Sequence, residues 1–244
     1  MKKNKNGIFN KGAAVVISLV VIIVIGVVYF LKTRQEQNNP RISKLEVGTD
    51  IYALEEEVRN TLGQESVYIT TNRSSGSGIL WSCDGKELLV VTAGHLVTDF
   101  ESGEIELWSG EKLEFTWEDV QVFSENDAAL IHLVSKETLK QEQGGAREYV
   151  CKIQPEIGDT MWVVDSVYGP ASGINRCQVY AVSYYLDDYG MEMLLLSGEG
   201  IAGMSGCAVY DEEGRLVAMM SGMSEDGSIL AAVPVENLLG NIDL

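Results

Sequence analysis

Three segments of the chain carry side chains that can transfer protons or attack a carbonyl carbon. The first ends an apolar run at His95, the second begins another run at Asp127, and the third is Gly203-Met204-Ser205-Gly206. An imidazole can act as a general base, a carboxylate can orient that imidazole, and a hydroxyl can then become a nucleophile. In the order His, Asp, Ser, these residue types predict acyl-transfer chemistry.

Each of these segments also has a purely structural interpretation. A histidine after a strand can serve the fold alone, and Asp127 has a position that is common for turn residues. Ser-Gly pairs are ordinary loop material, and this chain has several others, such as Ser172-Gly173. The combination of all three segments in one chain, each beside an apolar run, is therefore more specific than any one of them.

The elements that must position these residues are mostly short strands. From Val67 onward the chain shows short apolar or alternating runs separated by turn signals, which predicts an all-β sandwich or barrel. The runs are Val67–Thr70, Ile79–Trp81, Leu88–Thr92, Ile105–Trp108, Val120–Phe123, Ala128–Val134, Met161–Val164, Gln178–Ser183, Met191–Leu196, Ala208–Tyr210, Leu216–Met220 and Ile229–Val233. Apolar residues at helical spacing predict a short helix in 50–62, and a terminal helix is expected near Val235–Asn241.

A membrane anchor is predicted near the N-terminus. Residues 12–31 carry no charge and lie between Lys11 and Lys32. A helix of this length spans about 30 Å, the thickness of the hydrocarbon core of a bilayer. A cleaved signal peptide and a buried core helix are the alternatives, but the run exceeds a usual signal core and ends without small residues. Because four lysines precede the run, we expect a cytoplasmic N-terminus and an extracytoplasmic domain.

The charged residues are unevenly distributed along the chain. Residues 1–44 hold eight of the 18 basic residues but only one of the 36 acidic residues, so the remainder is strongly acidic. An acidic domain is repelled by phosphate backbones, so nucleic acid is not an expected partner. The predicted organisation is a cytoplasmic tail in 1–11, the anchor in 12–31, a linker with the short helix in 32–63 and a catalytic domain in 64–244.

The motifs T-A-G-H, D-A-A-L and G-x-S-G, in this order, resemble those of the trypsin-like serine peptidases. The bacterial HtrA/Deg branch is similar in three further places: Gly76-Ser77-Gly78, Gly158-Asp159 and Ala232-Val233-Pro234. The resemblance covers roughly residues 64–244. It implies a chymotrypsin-like fold of two six-stranded antiparallel β-barrels, preceded here by a transmembrane helix and followed by no PDZ domain.

The resemblance also implies a role for each site residue. His95 is the general base, Asp127 orients it, and Ser205 is the nucleophile. The backbone amides of Gly203 and Ser205 form the oxyanion hole. The substrate pocket is flanked by Glu199, Gly200, Ile201, Ala202, Ser221, Gly222 and Met223. The substrate is a protein or peptide, and no cofactor or metal is expected.

Two departures from the family pattern surround the nucleophile. Met204 stands where trypsins carry an Asp that pairs with the new N-terminus, so activation by zymogen cleavage is not expected. Cys207-Ala208 replaces the usual Gly-Pro. The four cysteines permit two disulfides in three connectivities, and their spacing fits no zinc site. They are Cys83, Cys151, Cys177 and Cys207.

The expected function is that of a membrane-anchored, extracytoplasmic serine endopeptidase. The alternatives are a catalytically silent trypsin-like domain that binds or senses a partner, and a membrane-tethered scaffold. An α/β-hydrolase is disfavoured because Cys207 occupies the last position of its G-x-S-x-G motif and no histidine follows Ser205. Glu199 either lies at the pocket base, selecting Lys or Arg, or is an exposed loop residue. The sequence leaves the oligomeric state open.

Overall fold

The computed structural model describes residues 40–239. Its first element is an amphipathic helix. Helix α1 is Ile51–Leu62, and the Asp50 side chain caps it by accepting hydrogen bonds from two amides of the first turn. Leu54, Val58 and Leu62 are buried on one face. The helix predicted in 50–62 is confirmed.

Seven strands form the first antiparallel sheet, in the spatial order β5-β4-β1-β2-β3-β7-β6. The strands are β1 (Ser66–Thr71), β2 (Ser75–Cys83), β3 (Glu87–Ala93), β4 (Gly103–Glu106), β5 (Lys112–Phe115), β6 (Val120–Phe123) and β7 (Ala128–Val134). Along β7, Ala129, Ile131 and Leu133 are buried while His132 between them is exposed, as the two-residue period of a strand requires.

Six further strands close into an antiparallel barrel in the order β10-β13-β12-β11-β8-β9. They are β8 (Thr160–Asp165), β9 (Gly173–Leu186), β10 (Met191–Ser197), β11 (Ala208–Tyr210), β12 (Leu216–Met223) and β13 (Ile229–Pro234), and a short helix α2 (Val235–Leu239) follows. The expected second barrel is thus confirmed, and the fold is all-β and chymotrypsin-like.

The first sheet differs from the expected six-stranded barrel in strand number and in closure. Strand β5 was not predicted, although Leu113 and Phe115 alternate with charged residues. Its neighbour along the chain is β6, but a turn at Trp117–Asp119 separates them, and no ladder joins them within residues 40–239. The Asp119 carboxylate accepts from the amide and hydroxyl of Thr116. Because the edge strands β5 and β6 are not paired with each other, the first unit is a half-barrel.

Buried apolar side chains fill three regions. One lies within the half-barrel and one within the barrel. The third joins Trp81 of the half-barrel to Trp162 and Tyr210 of the barrel, and the buried face of α1 packs into the same region. At about 25 cal/mol per Å² of apolar surface, such burial is the main force that fixes one unit against the other.

The predicted anchor at 12–31 lies outside the described residues, as do the tail at 1–11 and part of the linker at 32–63. Within residues 40–239, no helix combines the length and the apolar character needed to cross a bilayer.

Candidate active site

Strand pairing in the half-barrel brings the first two candidate residues together. Strand β3 pairs antiparallel with β7, and Ala93 is the partner of Ala128 at the end of the ladder. His95 follows β3 in a turn of 3-10 helix, and Asp127 immediately precedes β7. Because antiparallel strands place the end of one beside the start of the other, two residues separated by 32 positions become neighbours.

His95 and Asp127 are joined by two hydrogen bonds. The ring nitrogen Nδ1 of His95 lies 2.8 Å from Oδ2 of Asp127, and the main-chain amide of His95 donates to Oδ1 over 2.9 Å. Asp127 has a left-handed backbone, with φ of 42°, which is unusual for a residue other than glycine. The paired carboxylate leaves Nε2 of the imidazole facing the barrel.

Ser205 completes this group from the barrel side. Its hydroxyl oxygen lies 3.0 Å from Nε2 of His95, although the two residues are 110 positions apart. Ser205 belongs to the loop between β10 and β11. The hydroxyl, the imidazole and the carboxylate therefore form one continuous hydrogen-bonded line across the two units, with the geometry that proton transfer requires.

The loop that carries Ser205 is held by the half-barrel. The amide of Ser77 donates to the main-chain oxygen of Ser205 over 2.9 Å, and its hydroxyl donates to the oxygen of Gly203 over 3.1 Å. A side chain at Gly206 would overlap the oxygen of Ser77, and its φ of 85° is left-handed, so only glycine fits there. Among residues 40–239, the amides of Gly203 and Ser205 have no protein acceptor.

Ser221 contacts the carboxylate of Asp127. It is buried on β12, and its hydroxyl donates to Oδ2 of Asp127. Its main-chain oxygen lies 3.5 Å from the hydroxyl of Ser205. Ser221 was predicted to flank the substrate pocket, and its contact with Asp127 is a feature that only the folded chain reveals.

The contact between His95 and Asp127 shifts the pKa of both groups. The hydrogen bond to Asp127 raises the pKa of His95 above the ordinary 6.5, although burial acts against it. Burial acts to raise the pKa of Asp127, but hydrogen bonds from His95 and Ser221 outweigh it and lower that pKa below its usual value. The carboxylate is therefore ionised near neutral pH and stabilises a protonated imidazole.

The other candidate pocket residues lie on two facing segments. Gly200 donates to the oxygen of Gly227 over 2.8 Å, and a Cβ at Gly200 would sit 2.8 Å from the sulfur of Met223. The loop therefore packs directly against the end of β12. Ile201 and Ala202 are exposed, and Gly222 is half-buried. Glu199 is also exposed, so its carboxylate is a loop group and not the floor of a pocket.

The remaining reactive side chains lie apart from this group. His132 pairs with Glu87 on the exposed face, 2.7 Å away. All four cysteines are free thiols, so neither of the two permitted disulfides is present in residues 40–239. Burial raises the pKa of Cys177 to about 11 and raises that of Cys207 well above its ordinary value. Cys207 is thus a protonated core thiol.

Met204, the apolar residue before Ser205, is well packed. Its side chain is buried in the barrel core, and its sulfur lies 3.3 Å from the amide of Ile201. The backbone after Ser205 joins the sheet at Cys207. The amide of Cys207 donates to the oxygen of Met204 over 3.0 Å, and the oxygen of Cys207 accepts from the amide of Met220 over 2.9 Å.

No role was predicted for Ser77 or Tyr189, which both lie beside this group. Ser77 lies in the Gly-Ser-Gly segment that carried part of the family resemblance, so a signal was present. Tyr189 lies in the turn between β9 and β10, and its hydroxyl lies against Gly222, the residue after Ser221. No motif marks Tyr189. Within residues 40–239, no group of three or more His, Cys, Asp or Glu side chains could hold a metal ion.

Comparison with known proteins relates this arrangement to a family. Residues 76–219, more than half of the chain, match the family described as trypsin-like peptidase domain. No curated protein matches the sequence. Among solved structures, Rv3671c from Mycobacterium tuberculosis, as a Ser-to-Ala mutant in an inactive form, is similar with 15% identity and a TM-score of 0.61 over 82% of this chain and 94% of that one.

A second structure of Rv3671c, described as a protease in an inactive form, gives 16% identity and a TM-score of 0.59. That match covers 75% of this chain and 89% of the other. At such low identity these likenesses concern the fold.

Proposed function

The chain belongs to the trypsin-like peptidase family and is a serine endopeptidase, and we propose that it cleaves its protein or peptide substrate with a Ser205-His95-Asp127 triad. The observation that carries this proposal is the unbroken line of hydrogen bonds from the Ser205 hydroxyl through His95 to Asp127, at 3.0 and 2.8 Å. The lowered pKa of Asp127 supports an ionised carboxylate that can orient and stabilise the His95 ring.

In the proposed reaction, Nε2 of His95 takes the hydroxyl proton as the Ser205 oxygen attacks the scissile carbonyl carbon. The resulting imidazolium is stabilised by the Asp127 carboxylate and then gives its proton to the leaving amine, so that the C–N bond breaks and an acyl-enzyme remains. A water molecule, deprotonated by His95, attacks the acyl carbon. The Ser205 oxygen leaves and regains its proton, and the carboxylic acid product is released.

The amides of Gly203 and Ser205 are proposed to stabilise the negative oxygen of the tetrahedral intermediates. Both lack a protein acceptor among the described residues, which leaves them available to a substrate. Ser77 supports this role by fixing the carbonyl groups of the same two residues. One such donor typically contributes about 10²–10³ in rate.

A fluorophosphonate probe separates the enzyme from a catalytically silent domain, because the probe reacts only with an activated serine. We expect covalent labelling of the wild-type protein and none of Ser205→Ala, whose thermal midpoint should equal that of the wild type. Ser183→Ala, an exposed serine on β9, is the matched control and should label normally. Absence of labelling in a folded wild-type protein would favour the binding module.

We further propose that residues 12–31 anchor the enzyme as a single-pass membrane protein with a cytoplasmic N-terminus and an extracytoplasmic peptidase domain. The sequence supports this through the uncharged run between Lys11 and Lys32 and the excess of lysines before it. Protease shaving of intact cells tests the orientation. Digestion of the domain in intact cells supports the proposal, and protection until the cells are lysed contradicts it.

The acidic composition of residues 45–244 supports the proposal that nucleic acid is not a partner, since ten basic residues face 35 acidic ones in that segment. Retardation of a labelled duplex at low salt would contradict it.

A further inference from the structure

One loop of the barrel lies against Gly203, which carries one of the two candidate oxyanion amides. Residues 166–172, the β8–β9 loop, join β8 to β9. A Cβ at Gly203 would lie 3.4 Å from both γ carbons of Val167, which is van der Waals contact. The amide of Ser166 donates over 2.9 Å to the hydroxyl of Ser77, which itself donates to the oxygen of Gly203. The β8–β9 loop thus reaches Gly203 by two routes.

The β8–β9 loop contains a residue in a conformation that its type does not favour. Ala171 is fully buried, and its φ of 48° lies in the left-handed region. That region is costly for a residue with a β carbon, so such a conformation persists only where the surrounding contacts impose it. The shape of the loop therefore depends on the groups that hold Ala171.

Three sets of contacts hold Ala171. Its amide donates to the hydroxyl oxygens of Ser66 and Ser166, over 3.2 and 3.4 Å. Its β carbon packs so closely on Gly63 that a Cβ at that glycine would lie only 2.7 Å away. Its main-chain oxygen accepts a hydrogen bond from the guanidinium of Arg59. Arg59 lies in the last turn of α1, and Gly63 follows that helix, so α1 supplies two of the three contacts.

We propose that Arg59 is a positioning residue for the oxyanion amide of Gly203, which it supports by holding Ala171 and with it the β8–β9 loop. The catalytic meaning of this role rests on the function proposed above, whereas the effect of Arg59 on the Gly203 amide can be measured without any activity. Helix α1 lies outside residues 76–219, the segment that matches the family. The support for the oxyanion amide therefore comes from an element outside the matched segment.

The hydrogen bond from Arg59 is charge-assisted, and such bonds are roughly twice as strong as those between neutral groups. Without it, we expect Ala171 to leave the left-handed region and Val167 to move away from Gly203. The Gly203 amide acts on charge that develops only in the transition state, so its displacement should lower kcat and leave KM nearly unchanged. A purely structural role of Arg59 would lower stability without this difference between kcat and KM.

The first test uses Arg59→Met, which removes the donor and keeps a strong helix former in α1. With a peptide that the wild-type protein cleaves, we expect kcat to fall about tenfold at a similar KM, since complete loss of an oxyanion donor costs about 10²–10³. Arg59→Lys should recover most of kcat, because an ammonium group also donates to a carbonyl oxygen. Arg147→Met changes an exposed arginine and should leave both constants unchanged.

The second test follows the oxyanion amide itself by NMR of protein labelled with nitrogen-15 glycine. In Arg59→Met we expect the amide resonance of Gly203 to shift, while that of Gly85, in the turn between β2 and β3, stays fixed. Arg59→Lys should return the Gly203 resonance toward its wild-type position. An unchanged Gly203 resonance in folded Arg59→Met would overturn the proposal.

A double-mutant cycle with Val167→Ala provides the third test. Each single change should slow fluorophosphonate labelling, and the double variant should lose less than the product of the two losses, because both act on Gly203 through one loop. A loss equal to the full product would overturn the proposal. Arg59→Gln gives the same readings if Arg59→Met does not fold. If no protein labels but the Gly203 resonance shifts, the proposed function fails and the positioning role stands.

Discussion

The amide of Ser77 donates a 2.9 Å hydrogen bond to the main-chain oxygen of Ser205. Ser77 belongs to the half-barrel, and Ser205 lies in a loop of the barrel. The Ser77 hydroxyl also donates to the oxygen of Gly203 and accepts from the amide of Ser166, 2.9 Å away. The fully buried Ser77 thus fixes the loop that carries Ser205 against the half-barrel, which carries His95.

Replacing Ser77 by Ala is expected to destabilise the fold by about 1–3 kcal/mol, because the buried amide of Ser166 loses its acceptor. Urea unfolding measures this loss, and fluorophosphonate labelling should slow as the carbonyl of Gly203 loses its donor. Ser183→Ala, on the surface, should change neither quantity. A Ser77→Ala protein with the wild-type free energy of unfolding would show that the contact contributes nothing.

The dependence of labelling on pH should follow His95. Below its pKa the imidazole is protonated and cannot accept the hydroxyl proton of Ser205, so the rate falls. Because the hydrogen bond to Asp127 raises that pKa, the midpoint of the acid limb is expected above 6.5. Asp127→Asn removes the charge, so the midpoint should fall and the rate should drop about 10⁴-fold. His132→Gln is the control, and a wild-type midpoint below 6.5 would contradict the assignment.

A buried ion pair near the start of the described chain is expected to matter for stability. Arg41 donates to Glu65 over 2.7 Å, and both side chains are nearly inaccessible, at 11% and 6% exposure. The hydroxyl of the buried Tyr210 donates to the same carboxylate over 2.8 Å. Glu65→Gln leaves the guanidinium without a counter-charge, so we expect the free energy of unfolding to fall by about 3 kcal/mol.

The control for this change is Glu104→Gln, which removes a surface partner of Lys112 at 2.8 Å. Exposed pairs contribute about 0–1 kcal/mol. Denaturant unfolding of both variants at one pH provides the comparison. Equal losses in the two proteins would show that burial of the Arg41 pair has no consequence.

Substrate preference should depend on Met223 and not on Glu199. Met223 packs on Gly200, while the carboxylate of Glu199 is exposed. We therefore expect small or apolar residues before the cleaved bond, unchanged in Glu199→Gln. In Met223→Gly, the opened space should raise cleavage after larger apolar residues by about tenfold. A peptide library measures this, and a wild-type preference for Lys or Arg that Glu199→Gln abolishes would refute it.

The local elements were predictable because neighbouring residues encode them. The apolar stripe of α1 and the alternation along β7 reflect which side chains must leave water, and both appear in the structure. The candidate residues His95, Asp127 and Ser205 were identified from motifs, and their side chains lie in one hydrogen-bonded line. Their catalytic role and the anchor at 12–31 stay predictions.

Contacts between distant segments depended on the folded chain. Whether the first sheet closes depends on whether its edge strands β5 and β6 pair, and the exposure of Glu199 depends on how its loop packs on β12. Tyr189 reaches β12 because a tight turn joins β9 to β10 and because residue 222 is a glycine, which leaves space for the tyrosine hydroxyl. Residue type and periodicity specify which groups are present and which faces are buried. Sheet pairing and core packing, which act between residues far apart along the chain, decide which of those groups meet.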